Sequence, residues 1–227
     1  MTAILRSGIF GDYYGNTYDT SNVLSQSQME VNATYIYSCL KHEGWTDNAI
    51  AAILGNMEAE SSINPGRWQS DRVGGDSSGH GYSLVQWTPY TKYTNWCSEQ
   101  GYSDPSEMDS ALARIMYEVE QNIQWIGVGN YYGMTFEEFS KSSESVAYLS
   151  KGFLLCYERP ADQSVSVQNY RASLSEGWYE YLTGLSPTPP DPDYPDEPDN
   201  PSGDGNNKNK KRFKFILFKR RRRGIYG

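Results

Sequence analysis

Apolar residues recur at helical spacing along most of this 227-residue chain and lose that spacing once, between residues 67 and 89. Met29, Ala33, Ile36 and Leu40 stand at i, i+4, i+7 and i+11, and Ile50, Ile53, Leu54 and Met57 repeat the pattern one segment later. Each set marks one face of a 3.6-residue repeat, so both segments read as core helices. Further on, Leu112, Ile115, Met116, Val119 and Ile123 share a face, as do Val146, Leu149, Phe153 and Tyr157. Shorter helices are expected over 93–99 and 135–141, and a last one over 165–182. End signals agree with this division. Ser27 with Glu30 reads as a capping box, Thr46 as an N-cap, residues 106–109 as a further cap, and Gly44 and Pro160 as stops. The segment from 61 to 66, with Pro65 and Gly66, ends the second helix. Residues 67–89 hold Gly74, Gly75, Gly79 and Gly81, which is turn and hairpin chemistry, and 82–88 has the composition of a strand. A mainly α fold with one small β-hairpin follows.

The fold occupies only part of the chain. Residues 1–26 are rich in Gly, Tyr, Ser and Asn without periodicity and read as a mobile or loosely docked arm. The helical domain runs from 27 to 185. Residues 186–207 are a Pro/Asp-rich stretch expected to be a disordered spacer, and 208–227 form a basic tail around Phe213, Phe215, Ile216, Leu217 and Phe218. Ten of the 20 Lys and Arg lie in that tail, so the other ten face all 28 acids and residues 1–207 carry −18 within a net charge of −8. An acidic body and a cationic tail are therefore separate objects. The tail suits anionic lipid or teichoic-acid surfaces, and nucleic acid is set below them as a rival.

Several function classes drop out. Aromatic residues at 14% and hydrophobic residues at 37% are too many for a disordered chain. The longest apolar runs, such as 215–218, are far short of the about 20 residues that span a bilayer. The first residues lack a secretory apolar region, so if the chain acts outside the cell that makes it, something else is expected to deliver it. Cys39, Cys97 and Cys156 are widely spaced and read as buried thiols. With His42 and His80 the sole histidines, no metal site and no cofactor are expected.

The candidate chemistry begins at Glu60. A carboxyl in the last turn of an apolar helix, bordering the stripe of Ile53 and Met57, sits where the neutral acid is favoured. That is the requirement for a general acid acting on a glycosidic oxygen. Glu58 is its competitor. The strings GNMEAESSINPGRWQ, GYSLVQWTP and CYERPA, in that order between residues 28 and 182, resemble the phage tail lysozyme family of the lysozyme-like superfamily. The resemblance implies a lysozyme-like α+β domain acting on bacterial peptidoglycan, with the catalytic acid at Glu60 facing a hairpin. It places Tyr82, Gln86 and Trp87 along the glycan groove and Tyr157 and Glu158 on the opposite wall. Trp87 could equally be core, and Glu158 could equally pair with Arg159. A second carboxylate, where one is used, falls on Asp76 or Asp71 in the glycine-rich segment. The implied activity is a muramidase. Lytic transglycosylase and glucosaminidase activity on the same fold remain open, as does a wall-binding tail component without turnover.

Overall fold

The computed structural model describes residues 3–15, 23–69 and 79–184, so the spacer and basic tail lie outside the described residues. Helix α1 (Gln26–His42) is capped two residues earlier than its sequence suggests. Ser25 takes the N-cap, its side chain accepting from the Gln28 amide while Gln28 Oε1 accepts from the Ser25 amide at 3.0 Å. Ser27 is thereby left inside the first turn. Helix α2 (Asp47–Ser61) begins at Thr46 as expected, with Thr46 Oγ1 accepting from the Ala49 amide at 3.2 Å. Helices α3 (Thr91–Glu99), α4 (Met108–Gln121) and α5 (Phe136–Lys141) follow. A Thr135/Glu138 capping box starts α5. Helix α6 (Val146–Phe153) widens into a π-helical turn over Leu154–Glu158, which Arg159 closes in a left-handed conformation. Pro160, which cannot continue a helix, comes next. Helix α7 (Val165–Gly184) completes the described chain.

Among the described residues the two-stranded hairpin does not fall in the 67–89 segment where the sequence suggested one, of which residues 70–78 lie outside the described residues. It lies in the N-terminal arm, where β1 (Ile4–Gly8) pairs antiparallel with β2 (Gly11–Gly15). This arm is docked. Tyr13 is buried, the Tyr14 amide donates to Asn32 Oδ1 at 2.6 Å, and Arg6 pairs with Asp104 at 3.2 Å. The 82–88 segment forms no strand. It makes isolated bridges, Trp68 with Tyr82 and Tyr82 with Trp87, and turns sharply at Ser83 and Gln86, both with positive φ. The reason is burial. Tyr82, Leu84, Val85 and Trp87 are all buried, and a pleated strand would turn Leu84 and Val85 to opposite faces. A compact turn hides both at once. The three cysteines are free and buried, as their spacing implied.

Helix α2 is the hub. It is buried from Ala49 to Met57 on every side, not along a stripe, the behaviour of a helix enclosed by its neighbours. Fully burying each of Ile50, Ile53 and Leu54 contributes roughly 1.5–3 kcal/mol. Closest approach occurs at Gly55, where a Cβ would stand 2.2 Å from Ser175 Oγ and 2.4 Å from the Ser175 amide nitrogen of α7. Polar groups staple the crossing. Asn56 Nδ2 donates to Ala52 O at 2.9 Å and Ser150 O at 3.2 Å, and the Ser175 and Ser150 hydroxyls share a 2.8 Å bond, so α2, α6 and α7 meet in one buried network. Gly55→Ala is expected to force α2 and α7 apart and to cost about 1–3 kcal/mol of overpacking, measurable as a lower midpoint in urea denaturation.

Candidate active site

Glu60 stands on the last turn of α2, one residue before the helix end at Ser61. The crossing at Gly55 sets what it meets. Just over a turn onward along α2 comes Glu60, and one turn back from Ser175 along α7 comes Arg171. The two form an ion pair, Arg171 Nη2 to Glu60 Oε1, at 2.5 Å, with side chains 9% and 19% exposed. Arg171 Nη1 also donates to Asn56 O at 3.2 Å, which fixes the guanidinium to the backbone of α2. Glu60 is therefore partly desolvated, as its column on the helix implied, but its neighbour is a buried cation and not bare apolar surface. Glu58, the competing acid, faces α7 and accepts from Trp178 Nε1 at 2.7 Å. Burial pushes its carboxyl up and the Trp178 bond opposes this. It braces two helices.

Glu158 ends the π-helical turn. As a residue it is half-buried, yet its Oε1 is inaccessible and has no hydrogen-bond partner. Burial pushes its carboxyl well above the ordinary range. The charge of Glu60 adds to that shift, Arg171 opposes it, and smaller effects come from Glu118 and Arg159. The expected alternative, a Glu158–Arg159 hydrogen-bonded pair, does not form. Arg159 Nη1 instead donates to Gln124 O and Cys156 O, each at 2.6 Å.

The described residues on either side of 70–78 lie against the end of α2 through Ser61 Oγ, which donates to Leu84 O at 2.9 Å, and Arg67 Nη1, which donates to Ser62 Oγ at 2.9 Å. Of the residues assigned to the glycan groove, Tyr82 and Trp87 have buried rings. Trp87 stacks on Tyr93 with centroids 4.4 Å apart, and Tyr82 packs on Trp68 at 4.5 Å. Tyr157 is also buried. These three shape the wall from behind and offer no open ring face to a sugar. Gln86 is half-exposed, its Nε2 donating to Arg67 O at 3.1 Å and Ser83 O at 2.8 Å while its Oε1 has no partner. Asp71 and Asp76 lie outside the described residues. Among the described residues no group of three His, Cys, Asp or Glu side chains is placed to hold a metal ion.

Two buried charges escaped the sequence reading. Glu118 is inaccessible on α4 and accepts from Arg114 Nε at 2.8 Å, from Trp87 Nε1 at 3.1 Å and from the Tyr157 hydroxyl. It clamps the loop, α4 and the π-helical turn together. Burial raises its carboxyl against the pull of Arg114 and these donors. Arg171 sits on the buried face of α7 with Ser175, Trp178 and Leu182. A charged residue inside an otherwise buried stripe was the available signal for both. Backbone geometry marks the same region. Ser62, Ile63, Ser83, Gln86, Gln124 and Arg159 are non-glycine residues with positive φ, and they flank Glu60, line the loop or adjoin Glu158. Such residues gather at functional sites.

The family model described as phage tail lysozyme matches residues 31–182. Morphogenesis protein 1 of Bacillus phage B103 is 47% identical over 171 residues, which is 75% of this chain and 44% of that protein. The chain spans less than half the length of this relative.

Removing Glu118 tests the clamp. Glu118→Ala leaves Arg114, Trp87 Nε1 and the Tyr157 hydroxyl without their shared acceptor, and is expected to cost about 3–5 kcal/mol. Glu118→Gln, which keeps an acceptor, is expected to cost less. Chemical denaturation of both variants measures the difference.

Proposed function

This chain belongs to the phage tail lysozyme family, and from that premise we propose that it is a peptidoglycan-degrading glycosidase of the muramidase type, with Glu60 as general acid. The observation that carries the reading is the partly buried Glu60 at the end of α2, held by Arg171. A carboxyl so held can be aimed at a glycosidic oxygen, which acid catalysis of glycan cleavage requires. Protonation of that oxygen lets the C1–O bond break through an oxocarbenium-like transition state, and the negative charge left on the site stabilises it. Asp76 or Asp71 is the candidate to activate water, and Gln86 has an amide suited to a sugar hydroxyl or acetamido group.

Glu60→Gln keeps the shape of the side chain and removes the proton. It is expected to lower release of reducing ends from purified cell walls by about 10²- to 10⁴-fold with an unchanged circular dichroism spectrum. Retained activity would end the assignment. Mass spectrometry of the released fragments separates the neighbouring activities. Reducing muramic acid ends are expected, anhydro ends would indicate a transglycosylase, and reducing glucosamine ends a glucosaminidase.

Placement in the virion is favoured over release at lysis, because the relative in the phage is named a morphogenesis protein. In this reading the cationic residues 208–227 supply the attraction to an anionic cell surface that the acidic body lacks. Deleting 208–227 is expected to leave cleavage of soluble wall fragments unchanged and to weaken binding to whole cells and to vesicles containing anionic lipid. Equal binding by the shortened chain would remove the tail from targeting.

A further inference from the structure

Helix α6 and its π-helical turn keep one narrow face open to solvent. Tyr148, Lys151, Leu155 and Glu158 are half-buried, while every residue between them is buried. Steps of three, four and three residues set these four in one row along the helix. One end of the row reaches the candidate active site. Thr46 Oγ1, at the start of α2, donates to Ser142 O just before α6 at 2.6 Å, and Asn56 Nδ2 donates to Ser150 O further along both helices at 3.2 Å. The two helices therefore run parallel, and the end of α2 that carries Glu60 lies at the same end of the fold as the π-helical turn.

The other end meets the loop that joins α4 to α5, residues 122–135, which doubles back along α6. Gln124 Nε2 donates to Tyr157 O at 3.3 Å, the Ile126 amide donates to Cys156 O at 2.9 Å, and the Tyr131 hydroxyl donates to Tyr148 O at 2.8 Å. The Tyr131 ring covers Gly152, where a Cβ would stand 2.7 Å from it, and Trp125 Nε1 donates to Met134 O at 2.7 Å. Buried Trp125 and Tyr131 thus fix the backbone. The same backbone turns apolar groups outward. Tyr132 is 88% exposed and Ile126 57%, with Ile123 and Val128 exposed beside them. Resting on the catalytic reading of Glu60, we propose that the glycan strand lies along the α6 row, with its reacting end at Glu60 and Glu158 and a remote sugar ring stacked on Tyr132.

A polysaccharide suits this surface better than a protein does. A stable protein interface takes about 20–30 residues a side, whereas the loop projects one ring and three aliphatic side chains. A pyranose presents a face of C–H groups rimmed by hydroxyls, and tyrosine answers it with an apolar ring and a polar edge. The loop is already held in place, so little ordering entropy is lost when a sugar settles on it. Distance favours a polymer. Ten residues separate Tyr148 from Glu158, a helical rise of about 15 Å, which a disaccharide bound at Glu60 does not cover and a longer strand does.

Tyr132→Ala in the full chain tests the assignment on soluble glycan strands freed of their stem peptides. The exposed side chain supports nothing beneath it, so the midpoint in urea is expected to stay at the wild-type value. KM for the strands is expected to rise about tenfold with kcat little changed, and Tyr132→Phe and Tyr132→Trp, which keep a ring, are expected to retain wild-type KM. A disaccharide of N-acetylglucosamine and N-acetylmuramic acid, too short to reach the loop, is expected to bind wild type and Tyr132→Ala equally by nuclear magnetic resonance titration. An unchanged KM for the strands overturns the proposal. So does a loss of affinity confined to walls that retain their peptides, which would make the occupant a peptide, or an equal loss on the disaccharide, which would place the ring at the reacting end. A wild-type chain that neither binds nor cleaves the strands would defeat the catalytic reading, whereas strands handled alike by wild type and Tyr132→Ala would defeat only the role of Tyr132.

Discussion

The near contact of α2 and α7 at Gly55 and Ser175 is the constraint from which the site follows. No side chain separates the two backbones there, so their relative position is set by main-chain sterics and by the Asn56, Ser150 and Ser175 bonds. A helix pair locked in this way carries its register outward. Arg171 reaches both Glu60 and the Asn56 carbonyl because each is held a fixed distance along its helix from the crossing. A longer residue at 55 would move the guanidinium relative to the carboxylate by the same displacement that separates the helices. The site is therefore as rigid as the core, although its carboxylate lies at a helix end where fraying is ordinary.

Glu118 and Glu158 are chemically identical and lie on either side of Tyr157, yet their surroundings give them opposite uses. Glu118 accepts hydrogen bonds from three donors, one of them the Arg114 guanidinium. Its charge is costly to bury and is matched by partners, as a structural ion pair demands. Glu158 has an oxygen without any partner and a like charge in Glu60 nearby. Arg171, which Glu60 already engages, and more weakly Arg159 favour its ionisation. An incompletely satisfied buried acid is a poor brace. Tyr157 connects the two roles, since its hydroxyl bonds Glu118 while its backbone precedes Glu158 directly.

Helical periodicity is readable because the helices bury faces that recur every 3.6 residues: α1, α2, α4 and α6 appear at the stripes of Met29, Ile50, Leu112 and Val146, and α7 in the last helical segment, 165–182. The two errors in fold share one cause. The strand-like composition of 82–88 and its absence in 3–15 are local preferences, and tertiary burial decides both. Leu84 and Val85 had to be hidden together, and the hairpin of Ile4–Gly8 and Gly11–Gly15 is held by Asn32 and Asp104, residues remote in sequence. Glu60 was legible because one helix defines its position. Arg171 was not, because its role depends on a crossing between segments 111 residues apart, and no periodicity within α7 says which helix will face it.

Strained backbone gathers around the same residues, which ties the architecture to use. Ser62 and Ile63 follow Glu60 with φ of 54° and 53°, and Arg159 follows Glu158 with φ of 49°. For a β-branched residue such as Ile63 this conformation is a true outlier, and each such residue costs of order 1–3 kcal/mol. The surroundings hold them in place. Asn32 Nδ2 donates to Ile63 O at 2.8 Å, Arg67 donates to Ser62 Oγ, and Arg159 donates to two carbonyls. Both carboxyls are therefore followed by a sharp reversal of the chain, and each reversal is secured by side chains brought from another segment or by the reversing residue itself. Each reversal ends its element at the acid or one residue beyond it, Ser61 closing α2 and Glu158 the π-helical turn, so both carboxyls sit at helix ends that neighbouring side chains hold against fraying.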